Sequence, residues 1–245
     1  MTQTVQDGSL KDAESTQYIL LRSIAEQLKL PMMYIARQAE LNHHEETVSS
    51  HTFLDMQSNA DMALRLLDSY ILGLELSEQQ MRLDLEPVSL SAVLYDVAHD
   101  LTPIANQRNT DVELILAGKY GQVMAHSQGL IAAFYSLGSV LSEVCSEGNS
   151  RGRLRIAAHR STRGIVAGMY VDGLPSMQTT IYGARKLRKN FTRQPFAKLT
   201  ASTGAGVFIA DTILSCMDVR LRAGKFHGKH GMAATLQPSR QLQLV

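Results

Sequence analysis

Between Met56 and Leu74, six apolar residues fall at steps of 4, 3, 4, 3 and 4: Met56, Ala60, Ala63, Leu67, Tyr70 and Leu74. That spacing is a heptad seam, and it predicts a helix whose apolar edge packs into the grooves of other helices. A second stripe precedes it, in which Ile19, Ile24, Leu28, Met32, Ile35 and Ala39 recur every three to five residues, the period of an amphipathic helix. The polar run "NHHEETVSS" separates the two stripes. Two such helices joined by a short loop make an antiparallel hairpin, which cannot cover both of its own apolar stripes. Dimerisation into a four-helix bundle is the expected solution, with those six residues as the dimer interface. The alternative is packing of the hairpin onto its own C-terminal domain. The first helix carries Pro31 in its interior, where a proline removes a hydrogen bond and costs about 3 kcal/mol or more. Such a residue needs a reason to be there.

Past the linker "SEQQMRLDLEPVSL" the texture changes from helical to mixed. Ser89 to Gln107 reads as a helix, "DVELIL" and "QVMA" as strands, and Ser127 to Cys145 as an apolar helix. "RLRIAAH" and "GIVAGMYVD" read as strands around the turn "RSTRG". A helix "GVFIADTILSC" and two strands, "DVRLRAG" and "GMAATLQP", close the chain. The plan is α+β: a helical hairpin over 15–82, then an α/β sandwich over 83–245 with helices on one face of a sheet, after a mobile tail over 1–14. The 245 residues carry a net charge of +1, so no global field draws the chain to nucleic acid or an anionic membrane. The apolar runs fall short of a membrane span and the N-terminus is polar and acidic, which points to the cytoplasm and to no membrane partner. Cys145 and Cys216 stand in apolar helical contexts and are expected as buried free thiols.

The order of these elements resembles the cytoplasmic core of bacterial sensor histidine kinases, across residues 16 to 240. That core joins a dimerisation hairpin to an ATP-binding sandwich of the type shared with gyrase and the Hsp90 chaperones. The junction "LLDSYILGLELSEQQMRLDLEPVSLSAVLYDVAHDLTPIANQRNTDVEL" carries the likeness by its length and order. In the family, a His-Glu-Leu-Arg-Thr-Pro-Leu type motif bends the first helix just beyond the phosphate-accepting histidine. "EQLKLPM" matches it through Leu28, Lys29, Pro31 and Met32, which makes Pro31 the family's bend and puts Glu26 at the acceptor position. A carboxylate cannot form a phosphoramidate, so histidine autophosphorylation is excluded there. The family's magnesium-holding asparagine helix corresponds to "LIAAFYSLGSVLSEV", with Ser136 and Val140 at the asparagine positions and Glu143 one turn beyond. Valine offers no oxygen to a hard cation. The adenine-contacting aspartate corresponds to Asp172, although Leu174 and Ser176 replace the glycines that follow it. Gly204 and Gly206 match the last glycine motif, where the resemblance implies a helix start suited to phosphate. Between Asp172 and Asp211 there is no acidic residue, and Arg185, Lys186, Arg188, Lys189, Arg193 and Lys198 form a basic segment that corresponds to the family's lid.

The resemblance therefore implies a catalytically inactive, histidine-kinase-like regulator without a catalytic residue, cofactor or metal. It is expected to form a homodimer and to bind a response-regulator receiver or a kinase. One alternative is an atypical ATP-binding phosphotransferase or ATPase. Another is a regulator that binds nucleic acid through the basic lid. The clusters His43, His44, Glu45, Glu46, His51 and His227 to His230 lack the convergence that a metal site requires and read as loop residues.

Overall fold

The computed structural model describes residues 3–42, 50–79, 83–116, 118, 120–146, 151–172, 181–182 and 201–239, with side chains from 21 onward except 23, 50, 51, 77–79, 146 and 201–204. Helices α1 (Gln3–Asn42) and α2 (Ser50–Gln79) form the hairpin. α1 is already helical from Gln3, through the segment expected as a tail, and it runs on through Pro31. A short strand β1 (Glu86–Val88) follows, inside the stretch read as linker, and then α3 (Leu90–Gln107). Ser89 caps α3 by accepting a hydrogen bond from the Ala92 amide at 3.4 Å, an N-cap arrangement. Next come β2 (Thr110–Leu116), β3 (Val123–Ala125), α4 (Ser127–Ser146), β4 (Gly152–Ser161) and β5 (Gly164–Val171). Helix α5 (Ala201–Cys216) and strands β6 (Leu221–Phe226) and β7 (Lys229–Leu236) complete the described chain.

The main sheet has the order β2-β4-β5-β7-β6, with β2 parallel to β4 and every other pair antiparallel. β6 and β7 are joined by a two-residue turn in which His227 and Gly228 both take positive φ, the geometry of a type I′ hairpin. The "HGKH" run is thus a turn and a strand start. Alternation along the strands sends Leu154, Ile156, Ala167, Met169, Met232 and Ala234 to the face covered by α3, α4 and α5. The other face carries the smaller cluster Ala157, Tyr170, Phe226 and Ala233. α4 has the length and apolar character of a membrane span over Ser127–Cys145, yet Leu130, Phe134, Leu137 and Leu141 are buried within the sandwich. Cys145 and Cys216 are half-buried and not joined by a disulfide, and burial pushes the Cys145 thiol up to about 11.

The hairpin is not held apart from this sandwich. Met62, Leu66, Tyr70 and Leu76 of α2 belong to the same continuous core as Leu101, Phe134, Val140 and Phe208. Each large apolar side chain buried there contributes roughly 1.5–3 kcal/mol, so this docking is a substantial share of the fold. Polar groups lock the same boundary: Arg65 reaches Asp100 at 2.6 Å, and the Gln107 amide donates to Asn59 at 2.6 Å.

Gly73 marks the closest approach. A Cβ there would stand 2.6 Å and 2.7 Å from atoms of Ile209 on α5. Glycine inside a helix costs about 1 kcal/mol relative to alanine, so packing has overridden propensity at this position. Gly73→Ala is expected to lower stability by about 1–3 kcal/mol in urea unfolding, and Ile209→Val should recover part of that loss. A stabilised Gly73→Ala variant would mean that the two helices are not in contact there.

Candidate functional site

On α1, Glu26 points to solvent while its neighbour Gln27 is 2% exposed. The Tyr70 hydroxyl of α2 donates to Gln27 Oε1 at 3.2 Å, so Gln27 is the polar residue that the hairpin uses internally. Pro31 is buried just beyond it. The seam read from sequence is rotated in the structure. Ala63 and Tyr70 are buried inside the chain itself, and the Tyr70–Gln27 bond holds that edge inward. The outward apolar edge of α2 instead follows Ala60, Leu64, Leu67 and Ile71, at steps of 4, 3 and 4, with Leu64 57% and Ile71 52% exposed, while Leu74 packs against the core. Met56 is half-buried. On α1, Leu21 and Met32 are likewise exposed.

The positions expected to hold nucleotide are partly brought together. Ser136 and Val140 of α4 lie against Gly206 of α5, where an added Cβ would overlap Val140 Cγ2 and stand 3.2 Å from the Ser136 carbonyl oxygen. All three residues are buried. Gly204 and Gly206 do not precede a helix, because α5 begins at Ala201 and encloses both. Their backbone amides therefore do not present the open helix start that suits phosphate. Gly206 serves close helix packing instead.

Asp172 is engaged elsewhere. Its Oδ1 accepts from Arg155 Nη1 at 2.7 Å and from Lys229 Nζ at 2.8 Å, and Arg155 Nε also donates to Glu113 Oε2 at 3.0 Å. These side chains form an ion-pair row across β2, β4, β5 and β7. The Lys229 hydrogen bond, followed by that of Arg155, holds the Asp172 carboxyl below the usual carboxylate range. A carboxyl depressed in the folded state contributes stability above its unfolded pKa and loses it as pH falls through the folded value. Because the group is partly exposed, Asp172→Asn is expected to cost less than about 1 kcal/mol at neutral pH. The same substitution should flatten the decline of stability below about pH 4 in acid titrations.

Known proteins were compared with this arrangement. Full-length ShkA, solved in complex with AMPPNP, superposes with a TM-score of 0.50 at 15% identity, over 90% of this chain and 46% of that one. A bacterial phosphotransferase gives 0.50 at 11% identity, over 89% and 94%. The Acinetobacter baumannii histidine kinase AdeS gives 0.49 at 16% identity, over 87% and 98%. No protein-family model matches the sequence, and no curated protein does.

The fold is that of a histidine kinase core. Within that fold, the two α4 positions that the resemblance assigns to metal ligands do not suit a hard cation. Val140 has no ligand atom, and Ser136 is sealed beneath α5. Arg108 adds a positive charge beside the same helix: its guanidinium donates to the Ser139 carbonyl at 2.7 Å and to Ser142 Oγ at 2.9 Å. Burial lowers the Arg108 pKa, and the nearby Glu143 carboxylate opposes that shift. Glu143 therefore acts on a guanidinium rather than standing free as a displaced cation ligand. Among the described residues no group of three His, Cys, Asp or Glu side chains converges as a metal site.

Leu174, Ser176, Arg185, Lys186, Arg188, Lys189, Arg193 and Lys198 lie outside the described residues, as do His43, His44, Glu45 and Glu46. Sequence reasoning missed Arg108, the Arg65–Asp100 pair and the Tyr70–Gln27 bond. Each joins residues at least 31 positions apart, and no local pattern announces such a pairing.

Proposed function

We propose that this chain is a catalytically inactive, histidine-kinase-like regulator that dimerises through the hairpin and binds a receiver domain or a kinase. The observation that carries the reading is the filling of the phosphate-handling positions. Val140 and Ser136 are packed under Gly206, and an exposed glutamate stands at the acceptor position. Phosphoryl transfer depends on metal bridging and positioning of the phosphates, and a sealed helix–helix contact at those positions opposes both. The exposed Leu64 and Ile71 on the outward edge of α2 support a helical partner surface, since large apolar side chains at heptad spacing are ones that a second helix can cover. Asp172 itself is held in the Glu113–Arg155–Asp172–Lys229 row of ion pairs.

The test incubates the purified chain with radiolabelled ATP and Mg²⁺, alone and with receiver domains, and measures receiver binding in parallel. The expected result is saturable receiver binding and no label on any protein. Label on this chain, or label passed to a receiver, overturns the reading.

A further inference from the structure

Both hairpin helices carry an outward seam. On α1, Leu21, Ala25, Leu28, Met32, Ile35 and Ala39 follow one another at steps of 4, 3, 4, 3 and 4; Leu21, Ala25, Met32 and Ala39 are exposed, and Leu28 and Ile35 are half-buried. On α2 the edge through Ala60, Leu64, Leu67 and Ile71 answers it. A helix with such a repeat has two flanks, one on either side of the seam. One flank turns inward: Pro31 of α1 and Ala63 and Tyr70 of α2 are buried there, and Tyr70 bonds to Gln27. The other flank is charged. One residue after Leu21 and Leu28, α1 carries Arg22 and Lys29; one residue after Ala60, Leu67 and Leu74, α2 carries Asp61, Asp68 and Glu75. All of these charged residues are exposed, and among the described residues none has an ion-pair partner within the chain.

The register of the hairpin makes the two charged rows complementary. Gln27 stands opposite Tyr70. Five residues back along α1 and five forward along α2 lie Arg22 and Glu75; two forward and two back lie Lys29 and Asp68. A two-fold axis parallel to the helices leaves every residue at its own height, so α1 of one copy meets α2 of the other in the register that the hairpin already has. The inner flanks are used within the chain, and the contact between copies therefore brings the outer flanks together. We propose that this charge pattern recognises a second copy of the chain, with Arg22 paired to Glu75 and Lys29 to Asp68 across the bundle, each pair occurring twice by symmetry. Charges that flank a helical seam set partner choice and orientation. A basic row on α1 and an acidic row on α2 favour α1 against α2, and they oppose a bundle that sets α1 against α1 or α2 against α2, where like charges would meet. The inference rests on the proposed dimerisation through the hairpin and adds to it what selects the partner and the register.

The experiment compares the full chain with two charge-reversed chains, one carrying Arg22→Glu with Lys29→Glu and the other Asp68→Lys with Glu75→Lys. Sedimentation over a concentration series is run on each alone and on the two mixed in equal amounts. All four positions are exposed, so the substitutions should leave the fold intact. Each reversed chain sets like charges against its own copy and should self-associate at least about tenfold more weakly than the parent. The mixture restores opposite charges at every pair, and the two reversed chains should associate with each other to within about threefold of the parent affinity. Reversed chains that self-associate as the parent does, or a mixture that associates no more tightly than its components, overturn the charge pattern while dimerisation through the hairpin stands. A parent that stays monomeric up to about 100 µM overturns both.

Discussion

A chain carrying Glu26→His and Val140→Asn together is expected to remain unlabelled after incubation with radiolabelled ATP and Mg²⁺, and to be less stable than the parent by about 2–4 kcal/mol. The two substitutions restore the acceptor histidine and one asparagine position, yet they restore neither to a working environment. Glu26 is exposed, and replacing an exposed residue changes stability by about 0.5 kcal/mol or less. Val140 is fully buried against Gly206. An asparagine there brings an amide into an apolar contact while the guanidinium of Arg108 already occupies the same helix through Ser139 and Ser142. The loss should therefore follow Val140→Asn alone, read from urea midpoints of the two single variants. Phosphohistidine on the double variant would show that the nucleotide still reaches α4, and would remove the structural basis for an inactive chain.

The parts of the fold with local signatures were legible in the sequence. Alternation in "RLRIAAH" and "GIVAGMYVD" located β4 and β5, and the helical period located α2 and α4. β1 was missed because three residues show no period and gain their strand character only by pairing with β3. The phase of the α2 seam was misread for a related reason. Ala63 and Leu64 are both apolar, as are Tyr70 and Ile71, so hydrophobicity alone could not say which of each pair faces outward. A hydrogen bond to Gln27, 43 residues away, decided it for Tyr70. The glycine motif failed because Gly-x-Gly fits a helix start and a close helix crossing equally well; the packing of Val140 against Gly206 selects the second. Glu26 and Val140 were read at the sequence level from the chemistry their side chains lack, and the structure adds how the second is enclosed.

Placing charge on the outward edge of α2 gives the sharpest separation between folding and assembly. Leu64→Glu combined with Ile71→Glu is expected to turn a dimer into a monomer, weakening association by at least about a thousandfold, because a bundle interface would bury carboxylates without partners. Both positions are more than half exposed in the single chain, so its secondary structure should be retained. Its unfolding midpoint should cease to depend on protein concentration, since no partner copy then stabilises the folded state. Leu66→Ala acts on the other side of the same helix. Leu66 lies in the core shared with the sandwich, and its truncation should cost about 2–5 kcal/mol of stability while leaving the outward edge intact. Sedimentation across a concentration series distinguishes the cases. If the parent is monomeric throughout, or the double glutamate chain still dimerises, the outward seam is not the dimer interface; if Leu66→Ala leaves stability unchanged, the hairpin is not docked through α2. The two faces of this one helix are thus distinct: Leu66 and Tyr70 pack into the core shared with the sandwich, Leu64 and Ile71 are exposed, and the two sets of variants read docking and association separately.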